Sequence, residues 1–449
     1  MGRAGPIRCT SDPIRRCGTA KRDRGRRGLG HVRYQGGWIE ASQSSRPQYL
    51  RRDRADDSVP FMALLPPRCY LLCGIVATAG CHESTAPATS DVPLLVGGQL
   101  GLRSVSAGAL HTCGIAGSGM AYCWGWNRDG ELGDGSVSDR LTPVAVTSSS
   151  GFLDLSAGGG HTCAVSASGA SCWGFNLSGQ LGDDSTRTRR TPTPVTGGSD
   201  FVFIANGGAY TCGIRTDSST ACWGFGGYGQ LGTGDRQDRH SPTTVLGGLR
   251  FLTVSTGSFH TCGLASDSTA FCWGLNDHGQ LGDSIADTTR PAAVRGGIKF
   301  AMIAVGSLHS CGLTSAGAAY CWGNNELGQL GDSLELRTSI PNPVAGAQTF
   351  VRLTAGGSHT CGISSDGSAW CWGSDINGQL GSPPTHTCVT AGVGGPCSPI
   401  PQPVGGGHTF STISAGSQHT CAITADHDTY CWGLNSFGQL GNGSRSPSP

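Results

Sequence analysis

One pattern returns seven times between about residue 101 and the C-terminus. It reads Ala-Gly-x-x-His-Thr-Cys, then a short apolar strand, a turn, and Cys-Trp-Gly-x-Asn-x-x-Gly-Gln-Leu-Gly. The marker histidine stands at His111, His161, His260, His309, His359 and His419, with Tyr210 in its place in the third copy, so the spacings are 50, 49, 50, 49, 50 and 60 residues. The Trp-Gly tryptophan is present in every copy, at Trp124, Trp173, Trp223, Trp273, Trp322, Trp372 and Trp432. Within one period four short strands can be read, for example Phe152 to Ser156, His161 to Ser166, Ala170 to Gly174 and Thr193 to Thr196. Four strands per period of about fifty residues describe a propeller blade, so the expected fold is all-β, a seven-bladed β-propeller with four-stranded blades. Each blade is covered on both faces by its neighbours, and the strands accordingly carry Ala, Gly, Cys, Thr and Val rather than a clean polar and apolar alternation. The 74 glycines, about one residue in six against the usual 7 % or so, suit a chain that turns this often.

Closure of the ring leaves its own mark. The seventh copy runs out at 441–449 before any Pro-Val strand, while Val92-Pro93-Leu94-Leu95-Val96-Gly97-Gly98 ahead of the first copy looks like the stretch from Pro192 to Gly198. An N-terminal strand is therefore expected to complete the last blade, and an open solenoid would instead need polar capping repeats. Ala-Gly-x-x-His-Thr together with Trp-Gly-x-Asn-x-x-Gly-Gln-Leu-Gly resembles the repeat of the regulator of chromosome condensation (RCC1) family, over residues 92–449. The resemblance implies the RCC1-type propeller. The family includes a nuclear exchange factor for a small GTPase, a secreted bacterial inhibitor of β-lactamases and many exported bacterial proteins, so fold alone leaves function open.

Residues 1–61 are unlike the rest, with 13 Arg and one Lys against six acidic residues and no periodicity that could bury a core. They read as a basic leader, disordered or untranslated. Met62 to Cys81 forms a short apolar segment ending in small residues, the form of a secretory signal and too short and broken for a stable bilayer span. Its end resembles a bacterial lipoprotein signal, in which Ala79-Gly80 would precede a lipidated Cys81; Thr78 departs from the usual box and leaves plain secretion open. Residues 82–91 would be a tether. Beyond Arg68 there are 16 basic and 24 acidic residues, a balance of about −8. Such a balance disfavours nucleic acid, whose binders exchange a basic face for counterions.

Seven cysteine pairs recur at fixed spacing: Cys113 with Cys123, Cys163 with Cys172, Cys212 with Cys222, Cys262 with Cys272, Cys311 with Cys321, Cys361 with Cys371, and Cys421 with Cys431. Each brackets a hairpin, and counting inward from Cys113 and Cys123 meets at Ser118, which puts the sulfurs opposite one another on antiparallel strands. An eighth pair, Cys388 with Cys397, closes an insertion peculiar to the sixth copy, so eight disulfides would use 16 of the 21 cysteines. Reduced buried thiols and a metal site are the alternatives, although His, Cys and the partner Cys supply only three ligands per blade where zinc takes four. Disulfides call for an oxidising compartment, in agreement with the signal. The repeated histidines are expected to be structural, each with a ring nitrogen bonded to backbone. Gly224-x-Gly226-x-x-Gly229 matches a dinucleotide fingerprint only on paper, because it is the third Trp-Gly turn and no βαβ unit surrounds it.

The positions that differ between copies lie in the loop after Trp-Gly: Trp126, Arg128 and Asp129, Phe175 and Leu177, Phe225 and Tyr228, Asp277 and His278, Glu326 and Leu327, Ile376 and Phe437, with Leu275, Asn324 and Leu434 beside them. Equivalent loops of a propeller share one face, so these are the candidate binding residues, around the channel mouth. The residue directly after Trp-Gly could instead pack between blades. The Cys388–Cys397 loop is a second place for individuality. No catalytic residue, metal or cofactor is expected. The reading is an exported, lipid-anchored monomer, outside the cytoplasm in the cell envelope or secreted, that presents loops to a protein or glycan. The alternative is an exchange-factor-like regulator of a small GTPase, which would need a cytoplasmic location and reduced cysteines.

Overall fold

The computed structural model describes residues 94–96 and 100–448, apart from 285, 335, 391 and 392. The basic leader, the signal segment, Cys81 and the tether lie outside the described residues. Seven antiparallel sheets follow one another along the chain. In the second, the strands are Phe152–Ala157, His161–Ser166, Gly169–Gly174 and Arg189–Pro194, paired in sequence order. The first strands of successive blades contact one another around the ring and are therefore innermost. The one helical segment among the described residues is a single 3-10 turn, Gly405–Gly407.

The seventh sheet is made of Phe410–Ala415, His419–Thr424, Thr429–Gly433 and, at its outer edge, Leu94–Leu95 from the other end of the chain. Leu94 stands opposite Cys431, and the Val96 amide donates to the Thr429 carbonyl at 2.8 Å. Val195 makes the same bond to Ala170 in the second blade, at 3.0 Å.

Each core belongs to an interface between blades. Cys163, Cys172, Leu181 and Val195 of the second blade pack on Phe201, Ile204 and Trp223 of the third. The seventh-to-first interface repeats the set, with Cys421, Cys431 and Leu440 against Leu102 and Trp124, and Val96 in the place of Val195. All seven tryptophans are fully buried. The large apolar area of an indole makes it the main contributor to each interface.

The seven repeated cysteine pairs are disulfides, as their spacing predicts. Cys113 is bonded to Cys123, Cys163 to Cys172, Cys212 to Cys222, Cys262 to Cys272, Cys311 to Cys321, Cys361 to Cys371, and Cys421 to Cys431, each with a Cα separation of 4.1 Å. The two members of a pair stand directly opposite one another on the second and third strands of their blade, as Cys212 does to Cys222, Cys262 to Cys272 and Cys311 to Cys321. All of these cysteines are fully buried, so each bridge is part of the interblade core and not a surface clasp.

The fourth strand differs from the expectation. It covers Arg189–Pro194 rather than Thr193 to Thr196, because a bulge between Cys172 and Gly174 lets Arg189 reach Gly174. Pro192 and Pro194 hide this strand from a propensity reading, yet at a sheet edge their missing N–H groups cost no ladder bond. Arg189 is held at its start by Asp183, at 2.8 Å.

Candidate binding face

The turn between the first and second strands and the loop after Trp-Gly emerge from the same end of every blade. Gly158 lies above the His161 ring, where a Cβ would come within 2.8 Å of Cε1, so only glycine allows the imidazole to tuck under the turn. Neighbouring turns are then close enough to bond: Ala109 donates to the Gly158 carbonyl at 3.0 Å, Gly159 to Gly207 at 3.0 Å, and Ser417 back to Gly108 at 3.2 Å. Between the fourth and fifth blades the hydroxyls of Ser258 and Ser307 meet instead, at 2.9 Å. These turns enclose an axial cavity of about 180 Å³ lined by Gly, Ala, Ser, Thr, Asn and Val.

The expectation that the histidines bond to backbone is corrected. His161 Nε2 lies 2.8 Å from Thr211 Oγ1 of the next blade, and the same pair recurs at His111–Thr162, His260–Ser310, His309–Thr360, His359–Thr420 and His419–Thr112. Thr211 donates its single proton to the Gln180 carbonyl at 2.9 Å, which leaves Nε2–H as the donor to the hydroxyl. The physical reason is that the neighbouring hydroxyl, its own proton already given to the loop carbonyl, presents a lone pair at hydrogen-bond distance from Nε2. In the third blade the Tyr210 hydroxyl does bond to backbone, donating to the His260 carbonyl at 2.6 Å, with Thr261 Oγ1 3.0 Å away. Burial lowers His111 to about 4 and the other five histidines to about 3.

The loop motif is also consumed by structure. Asn176 Oδ1 accepts from the Leu181 amide at 2.9 Å and Gln180 Oε1 from the Ser178 amide at 3.0 Å, which folds the loop on itself. The Gln180 carbonyl then receives both Thr211 and the Trp223 indole, at 2.9 and 3.0 Å. In the first blade Glu131 replaces the glutamine, fully buried, with its carboxyl pushed up to about 7 chiefly by that burial.

What is left over are the residues that vary. Arg128, Leu177, Asp277, Glu326 and Ile376 are exposed, while Asp129, Tyr228, His278, Leu327 and Phe437 are half-buried. Trp126, Phe175 and Phe225, directly after Trp-Gly, are also half-buried and so belong partly to the packing. Trp126 of the first blade meets Phe437 of the seventh edge-on at 4.5 Å, with the Arg128 guanidinium 5.2 Å from the indole. Tyr228 reaches Phe259 of the fourth blade at 5.1 Å. Asp277 and His278 pair with one another at 2.6 Å.

Sequence reasoning missed the partner position. The residue before the marker histidine accepts a backbone bond from the residue after Trp-Gly in every blade, so Leu110, Phe259, Leu308 and Gln418 share the face with Trp126, Leu275, Asn324 and Leu434. Its variation between copies was the available signal. Also unforeseen are Leu153, Val202, Leu252 and Val351, exposed second residues of the innermost strands at the opposite mouth.

The insertion is a hairpin, His386–Thr390 with Val393–Pro403, that adds a fifth strand to the sixth sheet. It carries the Cys388–Cys397 disulfide. Its base is bonded to the blade's own loop, the Asp375 backbone amide donating to the Pro396 carbonyl at 2.8 Å. Among the described residues no cluster of His, Cys, Asp or Glu could hold a metal ion, and no helix is long and apolar enough to cross a membrane.

Among curated proteins, the chain is similar to the ultraviolet-B receptor UVR8 of Arabidopsis thaliana, 31 % identical over 122 residues, which is 22 % of this chain and only 27 % of the receptor. In solved structures it is similar to human WBSCR16, with a TM-score of 0.66 and 21 % identity over 74 % of this chain and 90 % of that one. Yeast RCC1, solved in complex with Kap60, gives a TM-score of 0.63 and 21 % identity over 75 % and 82 % of the two chains. At these identities the structures share the fold. The sequence model of the regulator of chromosome condensation (RCC1) repeat matches residues 118–165, 172–214, 222–264, 267–313 and 366–423, and a second model of the same repeat matches 102–131, 251–280, 303–329, 350–379 and 410–439. Matched over more than half of its length, the chain belongs to the RCC1 repeat family.

Proposed function

We propose that the protein is a non-enzymatic binding scaffold, exported and lipid-anchored through Cys81, that presents its loop face to a protein or glycan of the envelope or exterior. One observation carries the reading. The recurring His, Thr, Asn, Gln and Trp side chains are spent on bonds within and between blades, and the loops after Trp-Gly carry exposed or half-exposed side chains that differ from blade to blade. Aromatic and arginine side chains on a rigid scaffold are the usual anchors of an interface, and Trp126, Arg128, Phe437, Tyr228 and Phe259 are placed in this way. Eight disulfides favour an oxidising compartment.

The test is site-specific photo-crosslinking on the full chain expressed in an envelope-bearing host. Crosslinkers at Arg128 and Ile376 on the loop face should capture the same partner, and one at Leu252 on the opposite mouth should not. Capture from Leu252 alone would overturn the loop-face reading. Capture of a cytoplasmic GTPase by a reduced form of the protein would favour the exchange-factor reading instead.

A further inference from the structure

In five blades the residue after Trp-Gly is large: Trp126, Phe175, Phe225, Leu275 and Leu434. In the fifth and sixth it is Asn324 and Ser374, and both are buried. Their polar atoms turn back to the loop glutamines, Gln329 Nε2 donating to Asn324 Oδ1 and Gln379 Nε2 to Ser374 Oγ at 3.2 Å. Beside Phe175, Phe225 and Leu434 the corresponding Gln180, Gln230 and Gln439 amide nitrogens find no partner, and beside Leu275 that of Gln280 turns to Asp277 instead. Two adjacent small residues thus leave the groove between these blades unfilled, and a cavity of about 340 Å³ opens there on the loop face.

Its walls have a definite chemistry. Leu308, Leu327 and Ile376 form the apolar surface, and Glu326, exposed at the rim, is the one ionisable side chain in the lining. The remaining lining residues are hydroxyls, amides and a glycine. Small-ligand pockets usually span about 300–1,000 Å³, so this one has room for a single long side chain and its backbone. It contains no aromatic ring on which a sugar could stack; the aromatic groups of the face sit over the other blades. A long aliphatic stem ending in a cation matches both walls and rim.

We propose that this cavity is a specificity pocket for a Lys or Arg side chain of a partner protein, its stem lying along Leu308, Leu327 and Ile376 and its charge at Glu326. The inference rests on the loop-face reading and narrows it to a basic anchor residue on a protein.

The experiment pans a phage-displayed library of random heptapeptides on the intact oxidised protein, and removes clones that also bind the Ser374→Phe variant. That variant carries at this position the residue of the second and third blades, and Asn324→Leu, carrying the residue of the fourth and seventh, serves as an independent second filling. Surviving peptides should contain Lys or Arg, lose about tenfold or more in affinity for both filled variants, and lose a similar factor when the basic residue is replaced by norleucine. Glu326→Gln should weaken them about threefold and flatten their salt dependence. Survivors without a basic residue, or no clone that distinguishes the filled variants, overturn the proposal. If no clone survives, discarded clones that are lost with Trp126→Ala would overturn the pocket while leaving the loop-face reading in place, and discarded clones insensitive to Trp126→Ala as well would remove both.

Discussion

His419 Nε2 lies 2.8 Å from Thr112 Oγ1, joining the last blade to the first through a hydroxyl whose own proton goes to the Gln439 carbonyl at 2.9 Å. The relationship is the one found between other neighbouring blades, so the ring closes with the same chemistry that propagates it. Thr112→Val keeps the shape but strips both bonds, leaving an imidazole N–H buried without an acceptor. The expected loss is about 1–3 kcal/mol of unfolding free energy in denaturant titration. Thr112→Ser, which copies Ser310 of the fifth blade, should fall within about 0.5 kcal/mol of the parent. Equal stability of the Val and Ser variants would mean that the hydroxyl does not tie the blades.

The same geometry sets an acid limit. Five of the six histidines have an Nδ1 with no partner, buried beneath the glycine turn. Protonation would place a hydrogen there without an acceptor, in agreement with folded-state values of about 4 for His111 and about 3 for the other five. A histidine depressed on folding takes up its proton in the unfolded chain first, so stability is full above the unfolded value near 6.5 and falls as pH drops towards 3. Urea midpoints measured from pH 7.5 to 3.5 should decline steeply below 6.5, with up to six protons taken up on unfolding. A flat profile across that window would contradict the buried neutral imidazoles.

Glu131 acts with the opposite sign. Its carboxyl is pushed from about 4.5 to about 7 by burial, so the folded state holds the proton more tightly than the unfolded chain and loses stability as pH rises between those values. The full difference is of order 3 kcal/mol by the usual conversion. Glu131→Gln installs the residue present in the other six blades. It should raise the urea midpoint at pH 8, leave it nearly unchanged at pH 4.5, and so make the profile steeper across the histidine window. A variant no more stable than the parent at pH 8 would show that the carboxylate ionises at little cost.

The periodic part of this molecule was legible because each blade must satisfy the same neighbours. His161, Trp173 and Gly158 recur in kind since the ring, the indole and the turn each meet a neighbouring blade in a fixed way. The cysteine pairs were legible for a related reason, as equal counts inward to a hairpin tip leave only directly opposed partners. Arg189–Pro194 was misplaced because its outer edge is solvent-facing and tolerates prolines that a central strand would reject. The His-to-Thr bond runs between residues about fifty positions apart, and nothing in a single blade's pattern says which group the ring will meet. The pocket was hidden for another reason. Asn324 and Ser374 stand out only once they are seen as neighbours across an interface, where two small residues together leave a space that either alone would not.

The eight disulfides should not be equal in their effect. Cys361 and Cys371 are buried in the core between the sixth and seventh blades, against Leu380 and Trp432. Replacing both by Ala removes a cross-link over ten residues and thins that core at once. The chain-entropy part is about 2–3 kcal/mol for so short a loop, and the lost packing adds to it. Cys397 lies on the fourth strand opposite Ser374, and its buried bridge ties on only the added fifth strand through Cys388, with no interblade tryptophan packed on it. Their double replacement should free the tip around exposed Val389 without moving the main transition. Denaturant unfolding under oxidising conditions should therefore show a loss of at least about 2 kcal/mol when Cys361→Ala is combined with Cys371→Ala, and less than about 0.5 kcal/mol when Cys388→Ala is combined with Cys397→Ala. Limited proteolysis should cut only the second variant early, within 386–397. Equal losses from the two pairs would mean that the insertion is part of the cooperative core.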